Sequence, residues 1–355
     1  MPTDMTVPAP RRSSRRVFLP IILLAVVAIA WSGFWWYATS RVSTEMDRFI
    51  AKQAELGRQI SCDQRSVGGY PFRIEVHCAS PKVEGNRAGK AFSANLGEIN
   101  AVAQVYQPNK VLLEAKSPMV LVDKDGDGVT VTSNWTSAEA SASIWTSGPQ
   151  NADMVIKGLT TTVDRGGQTQ TMFDTANVEA HIRLAEGADA APGAYDLAAD
   201  VDAKAVAPVD LFLGASSPLS ATFRGTITRI DLQPMPMEDR LRDWADNGGT
   251  LTITQAQLNR GPSSVKASGT VGLETSGHPS GDLVVALSGV PELADTLKQS
   301  GRVPASLTSL LGVGLSMLGK PTNIDGKAAV EVPVKVANGK VNIGAFPAGK
   351  VPKLF

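Results

Sequence analysis

The chain has 355 residues, 43% of them hydrophobic, with 34 basic and 34 acidic side chains. The first 38 residues carry four arginines and one aspartate, so the rest holds 30 basic against 33 acidic residues. That excludes a generally basic surface, and no nucleic-acid partner is expected. Aromatics are only 6% of the chain, while Gly, Ala, Val and Thr recur, a composition that suits closely spaced strands.

The first element is the uncharged run from Val17 to Tyr37. At about 1.5 Å per residue, a helix of this length crosses a hydrocarbon core of roughly 30 Å. Trp31, Trp35, Trp36 and Tyr37 crowd one end, where amphipathic rings prefer the headgroup region. Arg11, Arg12, Arg15 and Arg16 crowd the other and hold it in the cytoplasm. The expected location is the bacterial inner membrane, single-pass, with the bulk in the periplasm. Ala28-Ile29-Ala30 also fits a cleavable signal, and Ser14-Arg15-Arg16-Val17-Phe18-Leu19 resembles a twin-arginine signal with Pro20 in the usual lysine place. The apolar run continues past Ala30 through the aromatic residues, which favours a permanent anchor.

The expected division is a basic tail (1–16), an anchor (17–38), a juxtamembrane helix (39–60), and a β-rich body that is either one elongated unit or two similar lobes (61–207 and 208–355). In the juxtamembrane stretch Val42, Met46, Phe49 and Ile50 fall at helical spacing, and Gly57 is a natural stop. Val67-Gly68-Gly69-Tyr70-Pro71-Phe72 has hairpin-turn chemistry. Ile74, Val76 and Cys78 alternate with Arg73, Glu75 and His77 on the return strand. A turn near Tyr70 puts Cys62 opposite Cys78, so a disulfide is expected in an oxidising compartment.

Strands are then expected at 92–106, 111–122, 128–137, 138–145, 154–163, 171–184, 195–206 and 221–232. They follow one another without long helical intervals, which argues for antiparallel meanders. A helix at Pro236–Asn247 precedes strands at 250–258, 264–274 and 282–287. Helices at Pro291–Gln299 and Pro304–Leu318 follow. The C-terminus is a hairpin: Val330, Val332, Val334 and Val336 alternate with polar or small residues before Asn338-Gly339, and Pro333 suggests an edge or bulged strand. The fold class expected is mainly β: elongated, curved antiparallel sheets with a few short helices behind one transmembrane helix.

Sequence motifs for chemistry are weak. Asp123, Asp125 and Asp127 begin like a calcium loop, but Asn134 stands where a bidentate Glu is needed and strands flank it, so a hairpin turn is the better reading. Gly314 to Lys320 mimics a phosphate loop, with Pro321 in place of Ser/Thr. Ser263-x-x-Lys266 lacks its partner motifs. His77, His181 and His278 are far apart. No catalytic residue, metal site or cofactor is expected.

The anchor, the helix after it and Ser66-Val67-Gly68-Gly69-Tyr70-Pro71-Phe72-Arg73 resemble DUF2125, an uncharacterised family of alphaproteobacterial membrane-anchored envelope proteins. Trp244, Gly248-Gly249-Thr250-Leu251-Thr252-Ile253, Ser268-Gly269-Thr270-Val271-Gly272-Leu273, Pro279-Ser280-Gly281-Asp282-Leu283 and the closing Asn338-Gly339-Lys340-Val341 fit too. These motifs are structural and carry over no functional residue. The architecture is also similar to AsmA-type envelope proteins, and that similarity implies lipid held on a curved sheet. The partners expected are therefore the lipid bilayer and a lipid or other apolar ligand. The alternatives are an assembly role with other envelope proteins and, third, a hydrolase.

Overall fold

The computed structural model describes residues 15–87, 90–124, 128–145, 148–186, 193–213, 217–232, 235–301 and 319–355. One helix, α1 (Arg15–Glu55), joins the apolar run to the amphipathic stretch without a break. The juxtamembrane helix thus continues the apolar run as one element. Gly57, at φ 75°, donates its N–H to the Ala54 carbonyl and ends the helix where a left-handed residue is needed. The chain is already extended at Arg58, so Ile60 belongs to a strand.

β1 (Arg58–Gly68) and β2 (Arg73–Arg87) form a long hairpin, and then the sheet forks. The first half of β2 pairs with β4 (Ile99–Gln104) and the second half with β3 (Lys90–Leu96). β5 (Gln107–Ala115) and β8 (Ser137–Trp145) extend the first column. β6 (Met119–Asp123) and β7 (Thr130–Asn134) extend the second. Both columns rejoin on β9 (Gly148–Arg165), long enough at 18 residues to pair with each. The stretches 92–106 and 111–122, each expected as one strand, are therefore two strands apiece. The two breaks are bonded to each other, Gly97 N–H to the Pro118 carbonyl at 2.9 Å and Lys116 N–H to the Glu98 carbonyl at 2.8 Å. Gly97 passes so close to the next turn that a Cβ on it would lie 2.3 Å from the Lys116 carbonyl oxygen.

A plain meander follows: β10 (Gln168–Leu184), β11 (Tyr195–Val206), β12 (Leu219–Ile227), β13 (Thr250–Arg260), β14 (Ser263–Leu273) and β15 (Pro279–Ser288). Short helices α2 (Ala207–Leu213), α3 (Met237–Asp246) and α4 (Val290–Ser300) sit in its connections. β15 next pairs with β17 (Lys327–Ala337), whose other side is shared by β16 (Lys320–Ile324) and β18 (Lys340–Ile343). β19 (Phe346–Lys350) closes the series on β18.

Among the described residues the result is one sheet of 19 strands, antiparallel throughout, as the sequence led us to expect. β11 and β12 pair directly on either side of α2, so the sheet continues through 208–218. Pro333 does not mark an edge. It faces Val284 on one side and, on the other, the gap where β16 gives way to β18, a place where no N–H is required. Asn338 and Gly339 both take positive φ, 50° and 68°, as a type I′ turn demands. The helix expected at Pro304–Leu318 lies outside the described residues. Near the C-terminal end Leu287 and Val332 are buried against Val265, Val290 and Leu293.

Candidate functional site

Residues directly opposed in an antiparallel ladder point to the same face. Following the register from strand to strand exposes an unbroken apolar row. It runs Val67, Val76, Ala101, Leu113, Ala140, Met154. It continues Ala180, Ala199, Phe223, Ala256, Ala267, Val285, Val332. A row on one side starts with Ile74, Ala103, Val111 and Ala142 and reaches Val334. A row on the other passes from Ala138 through Ile156, Val178 and Val201 to Val330. With strands about 4.8 Å apart, the longest row extends roughly 60 Å along the sheet.

Helices cover this stripe at both ends. Val42, Met46, Phe49 and Ile50 of α1 lie over its beginning, and a cavity of about 680 Å³ remains between them and Val76, Cys78, Ile99, Ala101 and Leu113. Val290 and Leu293 of α4 cover the far end. Between the two, a second cavity of about 580 Å³ lies over β5, β8, β9, β10, β11 and β12. Leu113 lines both cavities, so they adjoin at that side chain along the groove above the stripe. Leu113 is 37% and Met154 39% exposed, which leaves an apolar floor in contact with solvent. That floor is largely alanine (Ala140, Ala142, Ala152, Ala180 and Ala199), and short side chains leave depth above the sheet.

The groove begins where the helix leaves its apolar run. There the hairpin tip between β1 and β2 is fastened to α1. Trp31 Nε1 donates to the Pro71 carbonyl at 2.8 Å, Trp35 Nε1 to the Arg73 carbonyl at 3.0 Å, and Ser32 Oγ pairs with the Tyr70 hydroxyl at 2.8 Å. Trp35 meets Tyr70 edge to face at 5.4 Å, and Trp31 meets Phe72 at 6.4 Å. Higher on the helix, Asp47 accepts from Arg65 of β1 at 2.8 Å. The glycine- and aromatic-rich turn is thus a docking loop for the helix, a role that its sequence did not reveal.

The opposite face of the same strands is polar. Ser141 Oγ donates to Asp153 Oδ2 at 3.1 Å, and Asp153 Oδ1 lies 2.8 Å from His181 Nδ1. His181 Nε2 faces Glu179 at 3.8 Å. The hydrogen bond to Asp153 chiefly raises the imidazole above its usual value. Nearby, the Arg224 guanidinium, 2.7 Å from Asp200, holds that carboxylate low. The carboxylate sits between the serine and the histidine, so the imidazole is not placed to accept the serine proton as nucleophile activation requires.

The sequence-predicted positions fare unevenly. Cys62 and Cys78 form the expected disulfide, with Cα atoms 5.8 Å apart. They are not directly opposed, because the β1–β2 register centres the hairpin between Pro71 and Phe72 and not at Tyr70, so Cys62 faces Pro81 and Cys78 faces Arg65. Both sulfurs border the groove under α1. Asp123 ends β6 and lies 3.9 Å from Lys90 Nζ, whereas Asp125 and Asp127 are outside the described residues. The flanking β6 and β7 pair as a hairpin. Among the described residues no three His, Cys, Asp or Glu side chains assemble a metal site. Ser263 and Lys266 lie three apart on β14 and so point to opposite faces. The phosphate-loop mimic falls mostly outside the described residues.

No curated protein and no solved structure matches the chain. A family model described as an uncharacterized protein conserved in bacteria matches residues 35–352, a span that takes in the docking loop, the whole sheet and the amphipathic half of α1. The chain therefore belongs to that family, DUF2125.

Proposed function

We propose that this is an inner-membrane protein, anchored by α1, whose exported sheet holds a lipid or another apolar ligand on its long face. The observation that carries this reading is the apolar row across thirteen strands. Such a surface, left open over its middle, is stabilised by whatever apolar area covers it, at about 25 cal/mol per Å². Its alanine floor and scarcity of polar contacts suit recognition by shape and area. The helix from Phe18 to Glu55 is long and apolar enough to span a bilayer, and its charge and aromatic ends favour a cytoplasmic N-terminus. Binding is the favoured reading over hydrolysis because Ser141, Asp153 and His181 stand in an order unsuited to nucleophile activation.

The test is mass spectrometry of the full chain purified in detergent, with fluorescent acyl probes added afterwards. Co-purified lipid near stoichiometry, displaced by the probe, supports the proposal. A chain that retains no lipid, binds no probe and instead returns one stoichiometric envelope protein overturns it in favour of an assembly role.

A further inference from the structure

Several large apolar side chains stand exposed at one edge of the sheet: Tyr70 at 56%, Phe72 at 64% and Tyr106 at 64%. Tyr70 and Phe72 lie on the tip joining β1 to β2, and Tyr106 on the tip joining β4 to β5. The two tips are bonded to each other through Val105 N–H and the Phe72 carbonyl at 3.0 Å. The first is bonded to Trp31 and Trp35 of the apolar helix. Trp31 is six residues inside Tyr37, or about 9 Å along the helix axis. If α1 crosses the bilayer, whatever touches Trp31 lies below the outer end of the apolar run.

The backbone of the first tip is prepared for that depth. An unpaired carbonyl in an apolar medium costs several kcal/mol, so membrane-exposed turns need partners. Three consecutive carbonyls have them: Pro71 accepts from Trp31, Phe72 from Val105 and Arg73 from Trp35. Pro71 itself has no N–H to satisfy, and the Arg73 N–H is taken by the Gly69 carbonyl at 3.1 Å. Tyr70 directs its hydroxyl to Ser32. What remains outward is ring surface beside Arg73, whose side chain is 61% exposed and pairs with Glu75 at 2.7 Å, a mixture that settles at a lipid–water boundary.

We infer that the tips carrying Tyr70, Phe72 and Tyr106 are inserted into the headgroup region of the bilayer that holds α1. The exported sheet then stands on the membrane by its strand ends as well as by its tether. This inference rests on the anchoring of α1 and is independent of what occupies the groove.

Because the two native cysteines are disulfide-bonded, a single introduced cysteine can be spin-labelled selectively. The full chain in lipid nanodiscs would carry a label at Tyr106→Cys, at Val26→Cys within the apolar helix, or at Gln170→Cys on β10 beside the far hairpin. Accessibility to oxygen and to a water-soluble nickel chelate reads depth. Position 26 is expected to favour oxygen and position 170 the nickel chelate, with position 106 between them, clearly less accessible to the chelate than 170. A label at 106 that behaves like 170 while 26 behaves as buried in lipid overturns the inference and leaves the anchor intact. A label at 26 exposed to the chelate overturns the anchor itself. Should Tyr106→Cys fail to fold, Phe72→Cys reports on the same seat with the same two outcomes.

Discussion

Arg260 is a charged side chain on the otherwise apolar face of β13, yet it is only 6% exposed and pairs with Asp210 of α2 at 2.6 Å. Removing one member of such a pair strands the other charge, which costs about 3–5 kcal/mol. Asp210→Ala is therefore expected to lower the chemical-denaturation midpoint strongly, and Asp210→Leu combined with Arg260→Met to restore most of it. A smaller effect belongs to His181, half-exposed on the polar face. Its folded pKa lies above the usual 6.5, chiefly because of Asp153. Protonated His181 thus stabilises the fold fully below about pH 6.5, and this is lost as pH rises through the folded value. The melting-temperature advantage of the native chain over His181→Asn should shrink as pH rises from below about 6.5 through the raised folded value. Its size at such exposure is below about 1 kcal/mol.

Among elements, the hairpin of β1 and β2 does two jobs. Its tip grips α1, and its body is cross-linked by Cys62 and Cys78, separated by 16 residues. Replacing both with serine is expected to cost about 3 kcal/mol by the loop-closure estimate, measured as a fall in melting temperature that reductant reproduces in the native chain. At α3, Trp244 lies flat against Gly249, where an added Cβ would fall 2.0 Å from the indole nitrogen. That nitrogen donates to the Thr228 carbonyl at 2.8 Å. Gly249→Ala must expel the ring, and by the scale of core disruption a loss of about 3 kcal/mol is expected, with the tryptophan emission shifting to the red. The motif Gly248-Gly249-Thr250 is thus legible physically: it admits an indole and then starts a strand.

For the whole molecule, the decisive feature is the stripe and what leaves it open. Substituting Ala140→Trp and Ala180→Trp fills the groove from its floor without touching the polar face. The expected outcome is severalfold less co-purified lipid with the denaturation midpoint little changed. Retention of lipid at the native level would move the ligand elsewhere on the chain. If the seated hairpin tips hold, the helix-covered end of the groove also lies beside the bilayer.

Composition and punctuation in the chain were enough for the fold class. Period-two alternation around Gly, Pro and Asn turns reports strands locally, and the lack of helical intervals reports antiparallel order. The apolar run of α1, the cysteine pair and the Asn338-Gly339 hairpin were equally local and equally legible. The fork of β2 into two columns was not, because it depends on Gly97 meeting Lys116 across a turn. Nor was the groove. Each strand shows its own alternation, but only register decides that Ala101, Leu113, Ala140 and Met154 fall in one line, and a shift of one residue would have turned any of them to the other face. The sequence by itself determined that this protein is an antiparallel β body behind one helix long and apolar enough to cross a membrane, because those signals lie within a few residues of each other. Only the tertiary structure decided that its apolar positions join into one open surface, because that continuity is a property of pairing between distant strands.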